Sequence, residues 1–141
     1  MSYGAFGVLY HPATRQVLLN RRGVDAPTNP DTWGLFGGGA EVEDRGDPLT
    51  TWCREVREEL GITLDPAQAI PLTAYPGIAG HLRHVFCYAW PALDTLFVLG
   101  EGAGFAWFTL AEALALPDLT DMARRDLQGL QTRLWSADSA T

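Results

Sequence analysis

The sequence predicts an α/β fold, a sheet covered by helices, on three observations. The first half carries short β-branched and aromatic runs punctuated by Gly and Pro. One strongly acidic segment at 48–60 has helical signals at both ends, and further strand-like runs lead into terminal helical periodicity. The 141 residues suit one domain, expected over 1–135, with 136–141 a small polar tail that frays. A hydrophobic fraction of 47% supplies a core for a chain of this length without disulfides.

The elements follow in order. Ala5 to Tyr10 reads as a strand, and the turn from His11 to Arg15 joins it to a second strand from Gln16 to Arg22, a hairpin. The stretch from Gly23 to Thr32, with its prolines, Asn29 and aspartates, is a surface loop that can border a site. Trp33 to Phe36 is a short apolar run feeding Gly37, Gly38 and Gly39, expected to form a tight turn where another chain or a ligand approaches the backbone. Asp47 is a helix N-cap, Pro48 is preset for the first helical position, and Gly61 stops the helix after Leu60.

Strands are then expected around 70–75, 82–90, 96–99 and 104–108. Thr109 and Glu112 stand at capping-box spacing and open a short helix that Pro117 ends. A last helix over about 120–135 places Met122, Leu127, Leu130 and Leu134 on one stripe. No repeat or low-complexity tract divides the chain.

A net charge of −7 and a pI near 4.7 exclude a nucleic-acid polymer or an anionic membrane surface as partner, since both demand clustered Lys and Arg. A small phosphorylated ligand remains open if a metal supplies positive charge. Cys53 and Cys87 form no C-x-x-C pair and suit a reducing interior. With no basic leader before an apolar run and no long apolar stretch, a cytoplasmic protein is expected.

Chemistry concentrates in Arg54-Glu55-Val56-Arg57-Glu58-Glu59-Leu60-Gly61-Ile62. Glu55, Glu58 and Glu59 fall at i, i+3 and i+4, which brings three carboxylates onto one helix face. Like charges so placed repel by a few tenths of a kcal/mol per pair, and helix propensity does not ask for them. A hard divalent cation reverses the sign of that cost, because carboxylate oxygens are its preferred protein ligands. Taken alone, Glu-x-x-Glu-Glu is ordinarily a solvated helix face; its context says more.

Gly37-Gly38-Gly39-Ala40-Glu41 followed by Arg54 to Ile62 resembles the signature of the Nudix hydrolases, G-x5-E-x7-R-E-U-x-E-E-x-G-U with U aliphatic. Trp33 before the glycines, and Glu101-Gly102 followed by Phe105, Trp107, Phe108 and Thr109, are similar to the family's flanking layout. The resemblance implies an α/β/α sandwich with a mixed β-sheet. It implies a pyrophosphohydrolase using Mg²⁺ or Mn²⁺ to split the diphosphate of a nucleoside diphosphate derivative or nucleoside triphosphate by water attack on phosphorus. Homodimers are common in that family.

By matching positions, Glu58 and Glu59 would be the principal metal ligands, and Glu55 a further ligand or the base. Arg54 would orient the carboxylates, Gly37 to Gly39 would bring backbone close to metal or phosphate, and Glu101 would assist the metal or act as base. The sequence departs from the signature in one place. With Gly38 as the leading glycine, the segment 42–46 makes the loop two residues longer than usual, and the residue eight before Arg54 is Gly46 rather than glutamate. Glu43, Asp44 and Asp47 are the replacements within reach, and Glu43 is the expected one.

Weaker candidates are Arg21 and Arg22, of which a regular strand lets at most one face the site, surface cations being the ordinary reading. Trp33, Tyr75 and Phe86 are expected to pack in the core rather than stack on a base. His81 and His84, at an odd spacing on a strand, do not make a zinc site. Two competing readings are a Nudix-like sensor that holds a nucleotide or sugar phosphate without cleaving it, and an acidic interaction domain whose glutamates are merely solvated.

Overall fold

A computed structural model describes residues 2–100 and 104–135. Seven strands form one mixed sheet: β1 (Tyr3–His11), β2 (Gln16–Arg21), β3 (Trp33–Gly34), β4 (Phe36–Gly39), β5 (Ile70–Pro76), β6 (Leu82–Ala89) and β7 (Gly104–Thr109). Helix α1 (Pro48–Leu60) lies on one face, and α2 (Leu110–Leu114) with α3 (Asp121–Leu130) on the other. The expected α/β/α sandwich is the observed one.

The centre is β1, which runs parallel to β6 from Tyr3 opposite Leu82 to Tyr10 opposite Ala89. On its other side β1 is shared: its end pairs with β2 at Tyr10 and His11, and its beginning pairs antiparallel with β4, Gly4 opposite Gly39 through Gly7 opposite Phe36. Alternation along the strands sorts the core into two layers. Ala5, Leu9, Leu18, Phe36 and Phe86 meet Trp52, Val56 and Leu60 of α1, whereas Val8, Val17, Leu19, Val85 and Cys87 meet Ala123, Leu127 and Leu130 of α3. Gly7 is where α1 sits closest, since a Cβ there would lie 2.3 Å from the Trp52 ring.

Helix α1 begins and ends where its sequence signals place it. Asp47 accepts from the Leu49 amide, Pro48 occupies the first turn, and Gly61 closes the helix at φ 71° with its N–H on the Arg57 carbonyl. The capping box of Thr109 and Glu112 is formed, and Thr120 caps α3. That last helix is shorter than expected, passing at Gln131 into a π-helical turn that reaches Trp135.

Two further expectations are corrected. The three glycines are not a turn but the body of β4. Residues 96–99 are not a strand: Val98 N–H bonds to the Leu60 carbonyl and Gly100 N–H to that of Glu59, so this segment satisfies carbonyls that the end of α1 leaves open. His81 precedes β6 rather than lying on it, while His84, on the strand, sits edge-on to Tyr3. No described helix is long and apolar enough to cross a membrane.

A buried ion pair ties α3 to the sheet. Arg83 donates through Nε and Nη2 to Asp126 Oδ2 at 3.0 and 2.7 Å, and the Tyr75 hydroxyl donates to Asp126 Oδ1 at 2.6 Å. Burial, reinforced by that carboxylate, pushes the Tyr75 phenol up to about 12. Replacing Asp126 by Ala strands Arg83, which is 8% exposed, and is expected to lower unfolding stability by roughly 3–5 kcal/mol; urea denaturation measures it.

Candidate active site

The carboxylate face of α1 rests on β4, and the contact is close because β4 has no side chains after Phe36. A Cβ on Gly38 would lie 2.5 and 2.6 Å from the two carboxylate oxygens of Glu55, so the Glu55 head group occupies the space a side chain would take. Gly37 N–H donates to Glu59 Oε1 at 3.0 Å. The backbone of Gly37 has φ 152°, and a Cβ there would meet the Ala5 carbonyl at 2.2 Å, a conformation and a spacing that only glycine satisfies. The expectation that these glycines let a partner approach closely is met by the helix's own acids.

Arg54 binds the assembly together. Its Nε and Nη2 grip Asp44 at 3.0 and 2.9 Å in a two-point contact, its Nη2 also donates to the Gly39 carbonyl at 3.1 Å, and its Nη1 donates to Glu58 at 3.2 and 3.3 Å. Glu41 Oε1 is 3.2 Å from the same Nη1, and Glu55 Oε2 is 3.8 Å away. One cation thus compensates the crowding that the helical spacing imposes.

Asp44 is the loop acid that turns inward onto Arg54. Glu43, the expected replacement, is exposed, whereas Asp44 is 2% exposed and accepts from Arg54, from Thr51 Oγ1 at 2.8 Å and from the Glu41 amide at 2.9 Å. The signal was present: Asp44 stands six residues after Gly38, where the leading glycine of the signature calls for its acid. The two extra residues therefore lie between Asp44 and Arg54, at the start of α1, and counting back from Arg54 lands on Gly46 instead. Hydrogen bonds from Arg54 hold the Asp44 carboxyl well below the usual carboxylate range.

Glu55, Glu58 and Glu59 offer only oxygen donors, the chemistry a hard divalent cation requires. Glu55 and Glu59 are held against β4, their side chains partly covered, while Glu58, with 52% of its side chain exposed, is turned onto Arg54. As placed, no three acidic, His or Cys side chains among the described residues converge closely enough to hold a metal. The donor set fits such an ion in kind, and of the three carboxylates Glu58 is the one most open to solvent.

Other candidates lie elsewhere. Arg21 pairs with Asp118 and Asp31 and covers the Trp33 ring at 5.2 Å, while Arg22 donates to the Thr28 carbonyl. Phe86 stacks on Trp52 with centroids 5.6 Å apart, Trp33 is edge-on to Phe108, and Tyr75 is buried, so all three aromatic rings belong to packing. Glu101 lies outside the described residues, as does the tail 136–141; its neighbour Gly100 is pinned to α1, where a Cβ would come within 2.0 Å of the Glu58 carbonyl. At the Gly39 end of the strip opens a cavity of about 230 Å³ lined by Gly4, Phe6, Gly39, Ile78, Arg83 and Met122.

Comparison with known proteins follows the same lines. Residues 1–128 match the NUDIX domain family. No curated protein sequence matches the chain. A MutT NUDIX hydrolase from Burkholderia pseudomallei superposes with TM-score 0.68 at 27% identity, over 91% of this chain and 96% of that one. A mutT/nudix family protein from Listeria innocua gives TM-score 0.76 at 19% identity over 99% and 98%. The NUDIX domain of Shewanella oneidensis NrtR, solved with ADP ribose, gives 0.73 at 18% over 94% and 86%.

The lowered pKa of Asp44 sets the direction in which pH changes stability. Asp44 stays ionised in the folded protein at pH values where the unfolded chain takes up its proton, so its contribution is complete above the ordinary carboxylate value and fades as pH falls below it. The variant Asp44→Asn is expected to be less stable than the parent by about 2 kcal/mol near neutral pH. The gap should begin to narrow below about pH 4 and close only as pH falls through the lowered value of the folded carboxyl, and thermal melts across pH compare the two.

Proposed function

The chain belongs to the Nudix family, and on that premise we propose that it is a divalent-metal-dependent pyrophosphohydrolase cleaving a diphosphate linkage in a nucleotide-like substrate. The observation that carries the reading is the strip formed by α1 and β4, where Glu55 fills the place of a Gly38 side chain and Glu59 is fixed by the Gly37 amide. A merely solvated acidic face, or an acidic interaction domain, has no need of a glycine strand laid against it or of a buried Arg54–Asp44 clamp behind it.

In this reading Glu55, Glu58 and Glu59 would hold Mg²⁺ or Mn²⁺. The ion, when bound, supplies charge neutralisation to the diphosphate and raises the nucleophilicity of water. The chain supplies position. Arg54, held at two points by Asp44 and bonded to the Gly39 carbonyl, fixes α1 against β4. The proton of the attacking water passes to Glu55 or Glu101.

The cavity beside Gly39, with Phe6 under the Arg83 guanidinium at 4.0 Å, gives the non-phosphate part of the substrate an apolar wall close to the strip. The ADP ribose bound by the NrtR domain supports a nucleoside diphosphate derivative as the substrate class. Free thiols at Cys53 and Cys87 suit work in a reducing compartment such as the cytoplasm.

The test is a panel of nucleoside triphosphates, nucleotide sugars, ADP-ribose and dinucleoside polyphosphates incubated with Mg²⁺ in ¹⁸O water, with products read by mass. One phosphate-containing product is expected to carry a single ¹⁸O. The variant Glu58→Gln should lose about 10²-fold or more in kcat while melting within a few degrees of the parent. Absence of turnover across the panel, or full activity in Glu58→Gln, would defeat the proposal.

A further inference from the structure

Asn20 Oδ1 has no hydrogen-bond partner among the described residues although Asn20 is only 6% exposed. A buried amide oxygen without a donor costs about as much as a lost hydrogen bond, and folded proteins leave few of them. Leu or Val at this strand position would avoid that cost, so an Asn there requires another reason.

Its location supplies one. Strand β2 pairs with β7 without a bulge from Gln16 to Arg21, so side chains alternate regularly. Leu18 faces the α1 layer and Leu19 the α3 layer, which puts Asn20 on the α1 side. Its register partner on β7, Phe105, packs in the same α1 layer. On the other edge its partner is Gly34 of β3, which projects no side chain over it.

Both partners lead along the chain to Glu59. From Gly34 the chain continues to Gly37, whose N–H bonds the Glu59 carboxylate, and from Phe105 it leads back to Gly100, whose N–H bonds the Glu59 carbonyl. Asn20 thus lies on the α1 side of the sheet, between β7 and the strand that leads into the Gly37 segment.

Resting on the hydrolase reading above, we propose that Asn20 is a positioning residue whose carboxamide oxygen accepts a hydrogen bond from the attacking water. The ionised diphosphate itself has no proton to donate, so beside it the donor for Asn20 is a water. A water that gives one hydrogen to Asn20 presents its other hydrogen to a carboxylate base and a lone pair to phosphorus. In the step itself the water oxygen forms the new P–O bond and the bridging P–O bond breaks. The departing phosphate leaves with the electron pair, and the water's proton goes to the carboxylate; Asn20 gains and loses nothing. A side-chain amide that orients a nucleophilic water without taking its proton is a known device of phosphoryl-transfer sites.

The test uses the full chain, with Asn20→Leu, which removes the orphan acceptor at similar size, and Asn20→Ala, which removes it without crowding. The probes are ADP-ribose and the nucleoside triphosphates with Mg²⁺. Both variants are expected to fold, Asn20→Leu melting no lower than the parent, and both to lose about 10- to 100-fold in kcat with KM changed less than about twofold. An unchanged kcat in variants of an active parent would overturn this inference alone, leaving Asn20 as the partner of an ordinary buried water. Loss of folding in both variants would overturn it by showing a structural role. An inactive parent would overturn the hydrolase reading and this one with it.

Discussion

Everything at the site follows from how closely β4 can approach α1. A strand with ordinary side chains would hold a helix roughly 10 Å away, and the acids of α1 would then point into water. With glycine at positions 37, 38 and 39 the backbone itself becomes the contact surface, and Glu55 and Glu59 turn inward onto it. The conformational entropy that glycine loses in a strand is accepted here in return for a rigid floor under two anions. The same closeness lets Arg54 reach the Gly39 carbonyl while it holds Asp44.

Arg54 and Asp44 show how such a floor tolerates its own charge. Glu41, Asp44, Glu55 and Glu58 all lie within 4 Å of the one guanidinium, a density of negative charge that a helix surface would ordinarily reject. The burial of Asp44 and its bonds from Thr51 and the Glu41 amide fix the guanidinium from behind, so its remaining donors face the strip. Tyr3 bonds Thr51 at 2.8 Å and so links this clamp to the first strand of the sheet. The arrangement is an anionic platform with one strong internal counter-ion, and Glu41 and Glu58 are the members that solvent can reach.

Much of this was legible in the residues. Asp47, Pro48 and Gly61 mark α1 because each carries local physics that tertiary context does not override: a capping carboxylate, a preset φ and a left-handed stop. The capping box at Thr109 and Glu112 was legible for the same reason. The glycine run was misread as a turn because glycine's turn preference is local, while its use in β4 answers a long-range demand from α1 that no short window contains. Residues 96–99 look like a strand by composition, yet their hydrogen-bond partners are the open carbonyls of α1, which strand periodicity cannot reveal. Glu43 and Asp44 are adjacent acids, and only the fold decides which of them turns inward onto Arg54. Arg83 and Asp126, far apart in the chain, are a pairing that only the folded sheet brings together.

The most direct test of the platform is a Mn²⁺ titration followed by electron paramagnetic resonance on the parent, on Glu59→Gln and on Gly38→Ala. The added methyl group of Gly38→Ala would collide with the Glu55 carboxylate and displace it. A saturable site in the parent, absent in Glu59→Gln and at least about tenfold weaker in Gly38→Ala, is the expected result. Equal Mn²⁺ binding in all three proteins, or none in the parent, would contradict the claim that the acids of α1, set on a glycine strand, form a cation site.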